Sequence, residues 1–144
     1  MKIQVKKLRP DAVLPTAGSR YAAGYDLRAC MDAPVDIPPH ATAMIGTGLA
    51  VAVPEGYFGA VFARSGLASK QNLRPANCVG VCDSDYRGEY IVALHNDGAE
   101  MRTVCPGDRI AQLVILPCAS AEFEEAEALP DTERGAGGFG STGV

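Results

Sequence analysis

The sequence predicts an all-β domain, and three observations carry that expectation. Sixteen glycines and ten prolines cut the 144 residues into short pieces. No stretch longer than about ten residues keeps a helical stripe free of them. Several of the pieces alternate apolar and polar residues or form short apolar runs, the patterns of half-buried and buried strands. With 47% hydrophobic and 21% charged residues, the chain has the composition of a folded globular protein. It is long enough to bury one core without disulfide staples.

The same composition excludes some functions. A net charge of −4 argues against a nucleic-acid coat, which needs a strong positive excess. It does not exclude a small anionic ligand, because a few local arginines outweigh a weak global field. No apolar run approaches the ~20 residues that span a bilayer. Met1 to Lys7 alternates polar and apolar residues with no hydrophobic signal region, so the cytosol is the expected location. The five cysteines, Cys30, Cys78, Cys82, Cys105 and Cys118, contain no Cys-x-x-Cys pair. They are expected to be reduced and mostly buried, with no zinc site, since neither His40 nor His95 stands near a cysteine at zinc spacing.

In chain order, residues 2–8 alternate and predict a first strand, and Pro10 to Ser19 is a loop. Ala23 to Ala29 is a short strand entered through Gly24. Asp26 within it is either a turn-capping residue or a buried carboxylate that orients a metal-bound water or an arginine. Residues 34–39 carry three prolines and predict an edge or loop. His40, just after them, is expected at the surface. Residues 43–53 form a long apolar strand, and the turn Pro54-Glu55-Gly56 returns the chain into a second strand over 57–63.

Arg64-Ser65-Gly66 follows that strand. Ser65 occupies the position of a helix N-cap, and Leu67 to Lys70 fits one or two helical turns. The hydroxyl, the Arg64 guanidinium and the free N–H groups make an anion seat. The simpler alternative is a capped turn with a solvated arginine. Asn77 to Cys82 and Glu89 to Asn96 predict two strands, with His95 structural on the second. Asn96-Asp97-Gly98 is a hairpin turn, and Pro106-Gly107-Asp108 is another turn. Arg109 to Leu116 is a strongly apolar strand interrupted by Arg109 and Gln112. An amide in such a strand must find partners, so Gln112 either satisfies the fold or contacts a ligand. Residues 121–129 are acidic and predict a last strand or extended segment.

Two stretches ask for more than structure. Residues 80–90 hold Asp83, Asp85, Tyr86, Arg87 and Gly88 between two apolar runs. A turn needs only small polar residues, so this stretch predicts a β-hairpin whose tip holds an anionic, flat-ringed ligand beside a catalytic carboxylate. Asp85, Arg87 and Glu89 are assigned to fixing that hairpin or a subunit contact. The tail from Arg134 to Gly143 has five glycines around one arginine, one phenylalanine and two hydroxyls. Its Gly-x-Gly-x-x-Gly lacks the strand and helix of a dinucleotide fold. It is a disordered tail or a flap that closes over phosphates with Phe139 stacked on a ring, and the composition favours the flap.

Five of these stretches, in order, resemble the motifs of the trimeric dUTPases, the deoxyuridine triphosphate nucleotidohydrolases. They are Ala23 to Leu27, Arg64 to Ala68, Gly80 to Glu89, Gly107 to Gln112 and Arg134 to Gly143, so the resemblance covers nearly the whole chain. Two positions depart from the family pattern: Ala63 stands where proline is usual, and Cys82 where an aliphatic residue is usual. Neither removes a polar group.

The resemblance implies a jelly-roll-like distorted β-barrel with one short helix after the second motif. It implies one domain over 1–129 and a glycine-rich arm over 130–144. It implies a homotrimer with active sites at subunit interfaces, and hydrolysis of dUTP to dUMP and pyrophosphate. That reaction limits uracil incorporation into DNA and supplies dUMP for dTMP synthesis. By the same resemblance Asp83 is the general base and Tyr86 tests the sugar. Asn77 and the backbone near Val81 read uracil, and Phe139 covers it. Arg64, Ser65, Gly66 and Gln112 hold phosphates, while Arg134, Gly138, Ser141 and Thr142 belong to the arm's grip on the nucleotide. Mg²⁺ rides on the triphosphate with no direct protein ligand, and Asp26 acts on it indirectly. A dCTP deaminase of the same fold would need an added glutamate at the base, and the matching stretches show none.

Overall fold

The structure, a computed structural model, describes residues 1–138. Twelve short strands and one helix follow one another: β1 Gln4–Lys7, β2 Thr16–Ala17, β3 Tyr25–Arg28, β4 Val35–Ile37, β5 Thr42–Gly46, β6 Leu49–Ala52, β7 Tyr57–Phe62, α1 Ser65–Gln71, β8 Leu73–Pro75, β9 Val79–Cys82, β10 Ile91–Asn96, β11 Arg102–Val104 and β12 Arg109–Pro117. The expected all-β class with a single short helix after the second motif is what forms. Among the described residues no helix is long and apolar enough to cross a membrane.

The strands build four antiparallel sheets. The largest has the order β2-β3-β12-β7-β9, a second β5-β10-β8, and β1-β6 and β11-β4 complete the set. β12 lies between β3 and β7, which explains why its sequence is almost continuously apolar. The sheets close over one core in which Leu27, Ile37, Ile45, Leu49, Leu73, Leu94 and Ile110 are buried to 1% exposure or less. Burying each such side chain stabilises the fold by roughly 1.5–3 kcal/mol before the entropy of ordering is subtracted.

Several local expectations change. The apolar run 43–53 is not one strand. Gly48 adopts φ +66, a left-handed value that glycine reaches without strain, and the run breaks there into β5 and β6. The turns were placed correctly, but the strands they join are not partners. β6 pairs with β1, whereas β7 pairs with β12 and β9. The turn after Asn96 likewise leads from β10 into β11, which pairs with β4. Asn96 is buried, and its amide donates to the carbonyls of Ile37 and Glu100 and accepts from Gly98 N–H.

Ser65 is the first helical residue rather than the cap. Arg64 takes the cap position, with no side-chain cap bond. The loop 10–19 contains β2, and 34–39 forms the edge strand β4. Residues 121–129 form no strand and lie exposed, with Phe123 at 95%. Three of the five cysteines, Cys78, Cys105 and Cys118, are exposed rather than buried, and none is bridged. His40 is at the surface, and His95 is held between Thr42 Oγ1 at 2.9 Å and Asp97 at 3.4 Å.

Candidate active site

The stretch 80–90 is not a paired hairpin. β9 belongs to the five-stranded sheet and β10 to the three-stranded one, so the chain switches sheets between them. The two strands splay and leave a cleft of about 410 Å³ lined by Asn77, Val81, Asp83, Tyr86 and Tyr90 among others. β9 is the edge strand of its sheet, paired on one side with β7. Its other edge therefore offers unpaired backbone N–H and C=O groups. Those groups are the kind that can pair with the edge of a flat heterocycle.

Asp83 follows the last residue of β9, exposed at the lip of the cleft. The connection behind it is closely tied. Tyr86 N–H donates to Asp83 O at 3.2 Å. The Tyr86 hydroxyl donates to Glu89 O at 3.0 Å, and a Cβ at position 88 would overlap that hydroxyl, so only glycine fits there. Arg87 donates to the carbonyls of Ser84 and Tyr86. The Glu89 carboxylate accepts Gly48 N–H at 2.7 Å. Arg87 thus fixes the connection itself, and Glu89 ties it to Gly48 between β5 and β6 rather than closing a hairpin. Below Asn77, Cys78 adopts φ +61, a strained value for a residue with a Cβ.

A second group gathers at the far end of β7. The register sets Asp26 of β3 opposite Gln112 of β12, and Gln112 opposite Phe62. Arg64 follows two residues later. Asp26 is a half-buried carboxylate held between two arginines: Oδ1 accepts Arg64 Nε at 2.8 Å and Oδ2 accepts Arg109 Nη1 at 3.2 Å. Its side chain is 16% exposed and that of Arg64 24%. Gln112 Nε2 donates to Ala63 O at 2.9 Å, and a Cβ on Gly24 would stand 2.5 Å from its Oε1. Ser65 and Gly66 remain exposed beside this group. A hollow of about 210 Å³ lined by Arg64, Gln71 and Arg109 adjoins it.

Within one chain the two groups do not converge. On the β7–β9 ladder Cys82 pairs with Gly59 and Val79 with Phe62. Asp83 stands one position beyond Cys82 and Arg64 two beyond Phe62, so along the strands the two are about six positions apart, roughly 20 Å at ~3.4 Å per residue, and the two hollows share no lining residue. Arg134 donates to Gly137 O at 2.8 Å and is exposed, and Gly138 is half-buried. Phe139, Ser141 and Thr142 lie outside the described residues. Sequence reasoning missed the pairing of Arg109 with Asp26 and the burial of Tyr90. The signal for Arg109 was its charge at the head of an apolar strand.

Burial pushes the Cys82 thiol up from its ordinary value. The Tyr90 hydroxyl works against that rise, and the Asp83 charge adds to it. Burial likewise raises the Tyr90 hydroxyl well above the usual tyrosine range. Among the described residues no three His, Cys, Asp or Glu side chains cluster as a metal cage. With both Asp26 oxygens engaged by arginines, the residues fit a magnesium ion that arrives on a substrate's phosphates and keeps its waters.

The dUTPase family model matches residues 11–143, a span that takes in both groups and most of the tail. The chain belongs to the dUTPase family. The deoxyuridine 5'-triphosphate nucleotidohydrolase of Desulfitobacterium hafniense is 51% identical over 147 residues, covering 100% of this chain and 97% of that protein. That of Wolinella succinogenes is 50% identical, covering 99% and 95%. Among solved structures, the dUTPase of Staphylococcus bacteriophage 80alpha, a point mutant with dUpNHpp, superposes with a TM-score of 0.91 at 31% identity over 99% of both chains. A dUTPase of phage phi11 of S. aureus, described with a structural Mg(II) ion, superposes at 0.80 with 28% identity, covering 89% and 98%. The jelly-roll-like fold of the dUTPases is therefore the fold of this chain.

Proposed function

We propose that this protein hydrolyses dUTP to dUMP and pyrophosphate, with Asp83 as the general base. The observation that carries the reading is the position of Asp83. It is an exposed carboxylate at the lip of a cleft whose wall is an unpaired strand edge and whose rim carries Tyr86. Asp83 takes a proton from a water as that oxygen bonds to the α-phosphorus, and the bond to the bridging oxygen of the leaving pyrophosphate breaks in line. Asn77 and the backbone from Val79 to Cys82 pair with uracil. A cytosine amino group would meet a donor, which costs roughly 1–3 kcal/mol. Tyr86 lies under the deoxyribose and leaves no room for a 2′-hydroxyl.

Arg64, aimed by Asp26, joins Ser65, the backbone N–H of Gly66 and Gln112 on the phosphates. Magnesium, when bound with the triphosphate, neutralises charge there. Because Asp83 and Arg64 stand about six positions apart along the strands of one chain, a complete site takes the Asp83 cleft of one protomer and the Arg64 group of another. A homotrimer with interfacial sites provides that. Residues 1–129 form the body, and 130–144 close as an arm, with Arg134, Gly138, Ser141 and Thr142 on the nucleotide and Phe139 over uracil. A cytoplasmic enzyme that supplies dUMP for dTMP synthesis goes with this reading.

The test is pyrophosphate release from dUTP, UTP, dTTP and dCTP with Mg²⁺, with ammonia measured for dCTP. dUTP alone is expected to be turned over efficiently. Equal rates on all four, or ammonia from dCTP, would reject the reading. A chain lacking 134–144 is expected to stay folded and trimeric with turnover down about a hundredfold, the scale of a misplaced substrate.

A further inference from the structure

We infer that Tyr90 is a positioning residue for sugar discrimination: acting through Tyr86, it sets the platform that separates deoxyribose from ribose. The inference rests on the reading of Tyr86 as the sugar platform. Tyr86 alone is a poor platform, since it is 44% exposed and sits in an irregular connection. Three consecutive residues make it rigid. Gly88 leaves room for its hydroxyl, the Glu89 carbonyl holds that hydroxyl, and Tyr90 backs the ring. The ring centroids lie 6.2 Å apart with a 34° tilt, inside the range in which aromatic pairs attract.

Tyr90 passes on rigidity because it cannot itself move. It is 2% exposed. Its N–H donates to Leu49 O at 2.8 Å, and its carbonyl accepts both Thr47 N–H at 3.2 Å and the buried Thr47 hydroxyl at 2.7 Å. At the other end, a Cβ on Gly59 would stand 2.9 Å from the Tyr90 hydroxyl oxygen. The ring is thus clamped between β6 and β7, with its edge against the underside of the cleft. Among the described residues the hydroxyl finds no hydrogen bond of good geometry, and its polar neighbour is the Cys82 thiol, a weak partner. The ring, not the hydroxyl, does the positioning.

The experiment compares kcat/KM for dUTP and for UTP in the full-length protein. Tyr90→Leu is expected to lower the dUTP-to-UTP ratio about three- to tenfold, the scale of a lost aromatic pair, mainly by admitting UTP. Tyr90→Phe keeps the ring and is expected to keep the ratio. Gly59→Ala presses on the hydroxyl and is expected to lower the ratio, and adding Tyr90→Phe in that background is expected to restore it. This pair decides the matter if thermal melting shows that the leucine variant does not fold. A purely structural Tyr90 would lower the melting temperature with the ratio unchanged, and that result in a folded Tyr90→Leu overturns the inference. Failure of the underlying reading shows separately. A Tyr86→Leu variant that keeps the wild-type ratio removes the platform, and the role of Tyr90 with it.

Discussion

Asp26 and Asp83 are the same residue type about one sheet-width apart, and their surroundings assign them opposite work. Asp26 is mostly buried, with one oxygen on Arg64 and the other on Arg109. Asp83 stands exposed at a cleft mouth. A carboxylate whose lone pairs are taken by two guanidiniums aims those groups and leaves little room for a water. A carboxylate left open to water at the end of an edge strand is free to accept a proton. On the proposed reading, chemistry and positioning are separated by hydrogen-bond saturation rather than by residue identity.

The largest effect falls on the open carboxylate. Asp83→Asn is expected to cut kcat by about a hundred- to ten-thousandfold, the scale of a general base, while dUTP still binds. Near-normal turnover would dissolve the contrast. Mixing this variant with Arg64→Ala chains before reassembly is expected to restore part of the activity, because some sites then pair an intact cleft with an intact phosphate group. Mixtures as dead as their components would place the whole site within one chain.

Next comes the saturated carboxylate. Asp26→Asn releases two charge-assisted hydrogen bonds worth about 1.5–3 kcal/mol each at most. Partial exposure of Arg64 and Arg109 reduces that. A fall in kcat/KM of about tenfold is expected, together with a lower melting temperature. If kcat fell as far as in Asp83→Asn, Asp26 would share the chemistry.

Gly24→Ala is a smaller change. The new methyl would meet Gln112 Oε1, and overpacking of this kind costs about 1–3 kcal/mol. KM for dUTP is expected to rise while kcat holds, and an unchanged KM would detach Gln112 from the phosphates.

The smallest effect concerns pH. Burial raises the thiols of Cys30 and Cys82 and the Tyr90 hydroxyl, so the folded chain keeps protons that the unfolded chain gives up. Their contribution is complete below the unfolded thiol value of 9.0 and is lost as pH rises through the folded values. Melting temperatures measured from pH 8 to 10 are expected to fall, and a flat profile would count against the burial of these groups.

The class of fold was legible because glycine and proline spacing is local. Strand pairing was not. The turns at 54–56, 83–90 and 96–98 stand where turn residues put them, yet each joins strands of different sheets. A turn is decided by a few neighbouring residues, whereas pairing is decided by which edge remains open once the core closes. Residues 121–129 alternate only weakly, and they pair with no strand among the described residues.

The site was legible as motifs, and two of its three charged partners were named. Asp26 is expected from the sequence either to cap a turn or to orient a metal-bound water or an unspecified arginine, and Arg64 is read separately as part of an anion seat. Arg109 lies 83 residues from Asp26; its charge at the head of an apolar strand signals the need for a partner, but nothing local says which residue over that span supplies it. Tyr90 was missed because an aromatic beside an apolar run looks like core, which it also is.

The splay of β9 from β10 has a mechanical side. The two strands belong to separate sheets with no backbone ladder between them, so the gap is a seam in the body of the protein. On the proposed reading, a nucleotide base that hydrogen-bonds the free edge of β9 while its sugar rests on the connection to β10 bridges that seam as a strut.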